Sequence, residues 1–128
     1  SGNASKEPEV RWRYKGRLPE ISSPLVHDDT VYFVDKQGFM NSINGATGEL
    51  VKRERISGAR GRAYASPIAA DGKIYITYMS GKVAVLQADP DWVVLAVNDL
   101  GEKITASPIV SGNRLYVRTE KSLYCFGE

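Results

Sequence analysis

The stretch 64–88, "YASPIAADGKIYITYMSGKVAVLQA", decides the fold, because parts of it occur again on both sides. Aligning "SPLVHDDTVY" (23–32), "SPIAADGKIY" (66–75) and "SPIVSGNRLY" (107–116) needs no gap. Ser23, Ser66 and Ser107 coincide, each followed by Pro24, Pro67 or Pro108, and each leads to a tyrosine: Tyr32, Tyr75 or Tyr116. The copies lie 43 and then 41 residues apart. That period falls in the range of four-stranded propeller blades and exceeds the ~34 residues of helical hairpin repeats.

Strand chemistry agrees with the period. In each copy a short apolar run meets a two-residue turn, Asp28-Asp29, Asp71-Gly72 or Gly112-Asn113, built from residues that tolerate positive φ. A β-branched or aromatic run follows, "TVYFV", "KIYITY" or "RLYVRT". The first two copies then place Gly38 or Gly81 before "FMNSI" or "KVAVL", and the third reaches "SLYCF" without that glycine. These runs are brief and closely punctuated, so none sustains a helical period over three turns. "ELVKRERI" and "DWVVLAVNDL" supply fourth strands to the first two copies. The third copy has none after it, and the N-terminal "EVRWRYKGRL" (9–18) is expected to complete it.

The expected fold is therefore all-β: three four-stranded antiparallel blades, with an outer strand at 9–18 and blades at 22–56, 64–100 and 104–127. Residues 1–8 are polar, lack the apolar core of a signal peptide, and read as a linker or expression remnant that also contains the sequon at Asn3.

This arrangement resembles the pyrroloquinoline-quinone-like repeat family of β-propellers, in particular the last blades of such proteins. The likeness covers about residues 9–128 and rests on the three Ser-Pro openings, the Asp-Gly-like turns, "NGATGEL", which is similar to the family's Ala-x-Thr-Gly turn, and the ending "GNRLYVRTEKSLYCFG". The family often docks neighbouring blades with a tryptophan soon after Thr-Gly. Here that position offers Leu50, Val51 and Lys52, leaving Trp12 and Trp92 in the other outer strands to serve. One blade interface is expected to pack differently from the others.

A propeller ring takes ~4–8 blades. Three leave two apolar blade faces uncovered, and such patches mark interaction surfaces. The expected partners are a second copy of the chain, with two arcs closing one ring, or the remaining blades of a longer propeller, besides a separate protein partner. The resemblance also implies export to the periplasm or the cell exterior.

Composition narrows the rest. The 128 residues, 42% hydrophobic and 25% charged, match an ordinary globular domain, and no run approaches the ~18 apolar residues of a spanning helix. Net charge is +2, unevenly spread: Lys52, Arg53, Arg55, Arg60 and Arg62 against Glu54 make residues 52–62 locally +4. Arg53, Arg55, Arg60 and Arg62 are the candidate contacts for an anionic ligand or glycan. Without interleaved exposed aromatics or a recognised module they do not point to nucleic acid, and a charged outer strand also discourages strand addition.

No catalytic, cofactor-binding or metal site is expected. Three serines recurring once per blade contradict a nucleophile, which needs its base and orienting partner in one place. They are expected to hydrogen-bond a neighbouring strand or turn. His27 reads as a solvated turn residue, Asp89 and Asp91 as a proline-containing turn, and Cys125 as a small apolar residue packed in the last strand. Quinone enzymes of the resembled family require acidic and amide ligands for calcium or a lanthanide, a catalytic aspartate and often adjacent cysteines, which this sequence does not assemble. A non-catalytic scaffold or protein-interaction module is the first expectation, and part of a quinone-dependent dehydrogenase or other propeller enzyme with its active site elsewhere is the alternative.

Overall fold

The computed structural model describes residues 9–19, 22–59, 61–63, 65–104 and 106–127, so the expected linker at 1–8 lies outside the described residues. The first sheet contains β1 (Leu25–His27), β2 (Thr30–Val34), β3 (Phe39–Asn44) and β4 (Leu50–Arg55) in chain order. The second contains β5 (Ile68–Ala70), β6 (Lys73–Thr77), β7 (Lys82–Gln87) and β8 (Val94–Asp99), and the third β9 (Ile109–Ser111), β10 (Arg114–Arg118) and β11 (Leu123–Phe126). All pairings are antiparallel.

The repeated letters become one repeated pairing. Leu25 faces Tyr32, Ile68 faces Tyr75, and Ile109 faces Tyr116. Asp28 and Asp29 turn β1 into β2 at φ 47° and 61°, and Asp71 does the same between β5 and β6 at 53°. Aspartate tolerates this left-handed region because its short side chain can bond locally, and a two-residue turn of this hand matches strand twist.

Alternation along the strands builds two cores. The middle sheet sends Ile74, Ile76, Ala84 and Leu86 against Tyr32, Val34 and Met40 of the first sheet. From its opposite face, Tyr75, Val83 and Val85 meet Leu115 and Val117 of the third. Each fully buried aliphatic side chain stabilises the stack by about 1.5–3 kcal/mol relative to exposure, so the middle blade is held from both sides.

A backbone bond repeats with the blades. The amides of Lys36, Met79 and Glu120, just beyond the second strand of each sheet, donate to the carbonyls of Leu18, Arg62 and Lys103 at 3.0, 3.2 and 3.0 Å. The segment ending at Leu18 thus enters the first blade as the connectors from β4 and β8 enter the next two.

This corrects the reading of residues 9–18. They form no strand, and the third sheet has three strands. The segment lies on the first sheet instead: Trp12 donates its indole N–H to the Gly45 carbonyl at 2.7 Å, and the Tyr14 and Phe33 rings meet edge-on with centroids 6.2 Å apart. Strand pairing needs an open edge about 4.8 Å away, and the free edge of β11 belongs to the sheet beyond the middle blade. The outer face of the first sheet is consequently covered, with Phe33 and Ile43 buried. Of the two apolar faces expected to be open, the one on the third sheet is: Ile109 and Leu123 are 66% and 70% exposed.

Candidate functional site

The recurring polar and aromatic residues work between blades. Ser23 donates its backbone N–H to Oγ of Ser66 at 2.8 Å, joining equivalent residues of adjacent repeats. Tyr32 and Tyr75 are buried between successive sheets, whereas Tyr116, on the open face, is half-buried. Trp92 is buried between the first two sheets. Trp12 stacks on Gly48, where a Cβ would come within 2.7 Å of the indole. Leu50 and Val51, standing where the family's tryptophan would be, are about half exposed.

Within the basic stretch, Arg53 and Arg55 share one side of β4, as strand alternation requires. Their guanidinium carbons sit 3.9 and 4.4 Å from the centroid of Phe39. Arg53 is further committed: its Nε donates to Oδ2 of Asp35 at 2.7 Å and Nη2 to Oε1 of Gln37 at 2.9 Å. Asp35 is wholly enclosed; its Oδ1 accepts the amides of Gln37 and Phe39, and its Oδ2 also accepts Nδ2 of Asn41. Burial would push this carboxyl up, but the bonds from Asn41, Arg53, Phe39 and Gln37 together hold it below the usual carboxylate range. Arg62 lies at the surface, its carbonyl accepting the Met79 amide, and Arg60 falls outside the described residues. Asp35 was not among the expected functional residues, since its only local signal is the short turn "DKQG".

Lys52 points to the other side of β4 and across the seam to the second blade. Its Nζ donates to the Trp92 carbonyl at 2.7 Å, lies 4.3 Å from the Trp92 ring centroid, and stands 3.8 Å from Oδ1 of Asp91 and 3.9 Å from Oε2 of Glu54. Ser42 Oγ–H donates to the Pro90 carbonyl beside it. Leu50, Val51, Val93 and Leu95 flank this junction and are 44%, 45%, 54% and 50% exposed.

Among the remaining candidates, Oδ1 of Asp89 accepts the Asp91 amide at 2.9 Å, closing the turn around Pro90. His27 lies 3.4 Å from Asp28 at the first hairpin. Cys125 is in β11 as expected, but it is exposed and not packed: it shares with Ile109 and Tyr116 the face on which no other described sheet lies. A cavity of about 370 Å³ opens between the second and third blades, lined by residues that include Thr77, Met79, Ile104 and Ser107, with Lys103 as its charged member. The donors do not fit a quinone and its cation, because the Asp35 carboxylate is saturated and the Asp89 carboxylate closes its own turn.

A family model described as "Outer membrane protein assembly factor BamB", the PQQ_2 model, matches residues 6–127. The chain belongs to this family of PQQ-like β-propeller repeats. It is 33% identical over 66 residues to the outer membrane protein assembly factor BamB of Shewanella oneidensis, a match covering 52% of this chain and 16% of that protein. The crystal structure of BamB from Moraxella catarrhalis superposes with a TM-score of 0.70 at 19% identity, covering 91% of this chain and 36% of that one. A europium-containing methanol dehydrogenase superposes at 0.59 with 20% identity, covering 87% and 23%. At these identities the structural likenesses carry the propeller fold alone. The chain spans about a sixth of the matched BamB sequence and about a third of the BamB structure.

Proposed function

We propose that the chain is a non-catalytic propeller scaffold that binds proteins in the periplasm or at the cell exterior. The observation that carries this reading is the use made of its repeated polar residues: Ser66 bonds the neighbouring repeat, Tyr32 and Tyr75 fill blade interfaces, and the Asp35 carboxylate is closed by four donors. Chemistry needs groups with unspent valence in one place, and these are spent on architecture. The name of its matched relatives, outer membrane protein assembly factor, supplies the class of partner: proteins under assembly in the envelope. The uncovered face of the third blade, with Ile109 and Leu123 at the surface, gives the scaffold a second contact, with another copy of the chain or with further blades.

The test dilutes a urea-unfolded outer membrane protein into buffer with the purified chain and follows light scattering. Stoichiometric suppression of aggregation is expected. Scattering unchanged by the chain, or retention of pyrroloquinoline quinone with calcium through gel filtration together with alcohol-dependent dye reduction, would overturn the reading.

A further inference from the structure

The sequence reads the start of β4 as basic, yet the surface at the seam between the first two blades is apolar and acidic. Each outer strand carries a bulge at the same place: Leu50 and Lys52 face Ile43 and Ser42 with Val51 between them, and Val94 and Ala96 face Leu86 and Val85 with Leu95 between them. A bulge re-aims the extra side chain, and here both extra residues are apolar and about half exposed. With Leu50 and Val93 they flank the contact of Lys52 with Trp92. Single exposed apolar residues are ordinary, but four gathered at one junction mark an interaction surface.

The charges select the partner. Lys52 is 19% exposed and turned onto Trp92, and Arg53 is 24% exposed and turned onto Asp35. What remains at the surface is Glu49, Glu54, Asp89 and Asp91, the last 85% exposed even with Lys52 near one oxygen. We propose that this seam docks a short segment of a partner protein that presents apolar side chains between lysines or arginines. Opposite charges at the rim steer and orient such a segment. A symmetric contact with a second copy would set Asp89 and Asp91 against themselves. This assignment rests on the scaffold reading and names its contact site.

Fluorescence anisotropy with a labelled dodecapeptide alternating leucine and lysine, and with its leucine–glutamate counterpart, tests it on the whole chain. The lysine peptide binds and weakens with added salt, and the glutamate peptide does not bind. Val51→Ser with Leu95→Ser weakens binding by about tenfold, Asp91→Asn weakens it less and flattens the salt dependence, and Ile109→Ser with Leu123→Ser leaves it unchanged. Circular dichroism verifies folding, and Val51→Thr with Leu95→Thr replaces the serine pair if that pair unfolds. Binding equal in the seam variants and the unsubstituted chain overturns the proposal. Binding that instead follows Ile109 and Leu123 overturns the seam and leaves the scaffold reading standing, and absence of binding to either peptide overturns the seam while the aggregation assay judges the scaffold separately. Self-association lost with the seam pair in sedimentation assigns the patch to a second copy and also overturns it.

Discussion

Nε of Arg53 lies 2.7 Å from Oδ2 of Asp35, a carboxylate with no exposed surface. The pair joins the residue after β2 to the middle of β4, and Asn41 of β3 bonds the same oxygen. Three strands of the first blade therefore share one carboxylate. Removing it with Asp35→Ala leaves Arg53, Asn41 and two amides without their acceptor, and breaking a buried pair from one side costs about 3–5 kcal/mol. The expected result is a lower urea midpoint with an unchanged slope.

The same carboxylate makes stability depend on acid. Its folded pKa lies below the ordinary value of ~3.9, so below that value the unfolded chain takes up the proton first, and stability rises with pH through the window. The contribution is complete above the ordinary carboxylate range and is lost as pH falls through the folded pKa. Thermal melts from neutral to acid pH should show Asp35→Asn less stable at neutrality, with the gap to the unsubstituted chain closing in acid.

Tyr78 makes the opposite case. Its hydroxyl is buried with no hydrogen-bond partner among the described residues, and burial pushes the phenol up. An unsatisfied buried hydroxyl costs about 1–3 kcal/mol. Tyr78→Phe should therefore raise the urea midpoint, by about 1 kcal/mol in stability, and a loss of stability would refute the assignment.

Gly48 reports on the N-terminal segment. It sits at φ 78° with Trp12 where a Cβ would go. Gly48→Ala should cost about 1–2 kcal/mol from the left-handed backbone alone and displace the indole, seen as a red shift and quenching of tryptophan emission. Unchanged emission would mean that Trp12 does not lie on this turn.

Cys125 reports on the open face of the third blade. Exposed there, it should react fully with a thiol reagent in the folded dilute protein. If copies cover that face, the rate should fall as protein concentration rises. A rate independent of concentration would count against self-association through this sheet.

The strands were legible because their signals are local. "TVYFV" and "KVAVL" alternate, and Asp28-Asp29 and Asp71-Gly72 specify turns without help from distant residues. What was not legible depends on which edge or side chain lies opposite. Residues 9–18 alternate as a strand should, yet the backbone groups they would pair with are not beside them. The count of charges over 52–62 could not show that Arg53 would spend its charge on Asp35, or that Lys52 would bend onto Trp92, since both depend on cross-strand register and blade contact. Cys125 was misjudged for the same reason, because burial in a stacked sheet is a property of the next sheet as well as of the strand.

The amide–carbonyl bonds from Lys36 to Leu18, Met79 to Arg62 and Glu120 to Lys103 close loops of similar, short length, one per blade. Loops of that kind favour rapid, self-contained ordering of each blade, and contact only between neighbours makes the stack behave as a chain of coupled units. The middle blade, clasped by both cores, is the unit that forms most firmly, so loss of structure travels inward from the two ends. Whatever binds an end blade consequently governs the lifetime of the whole stack without touching its centre.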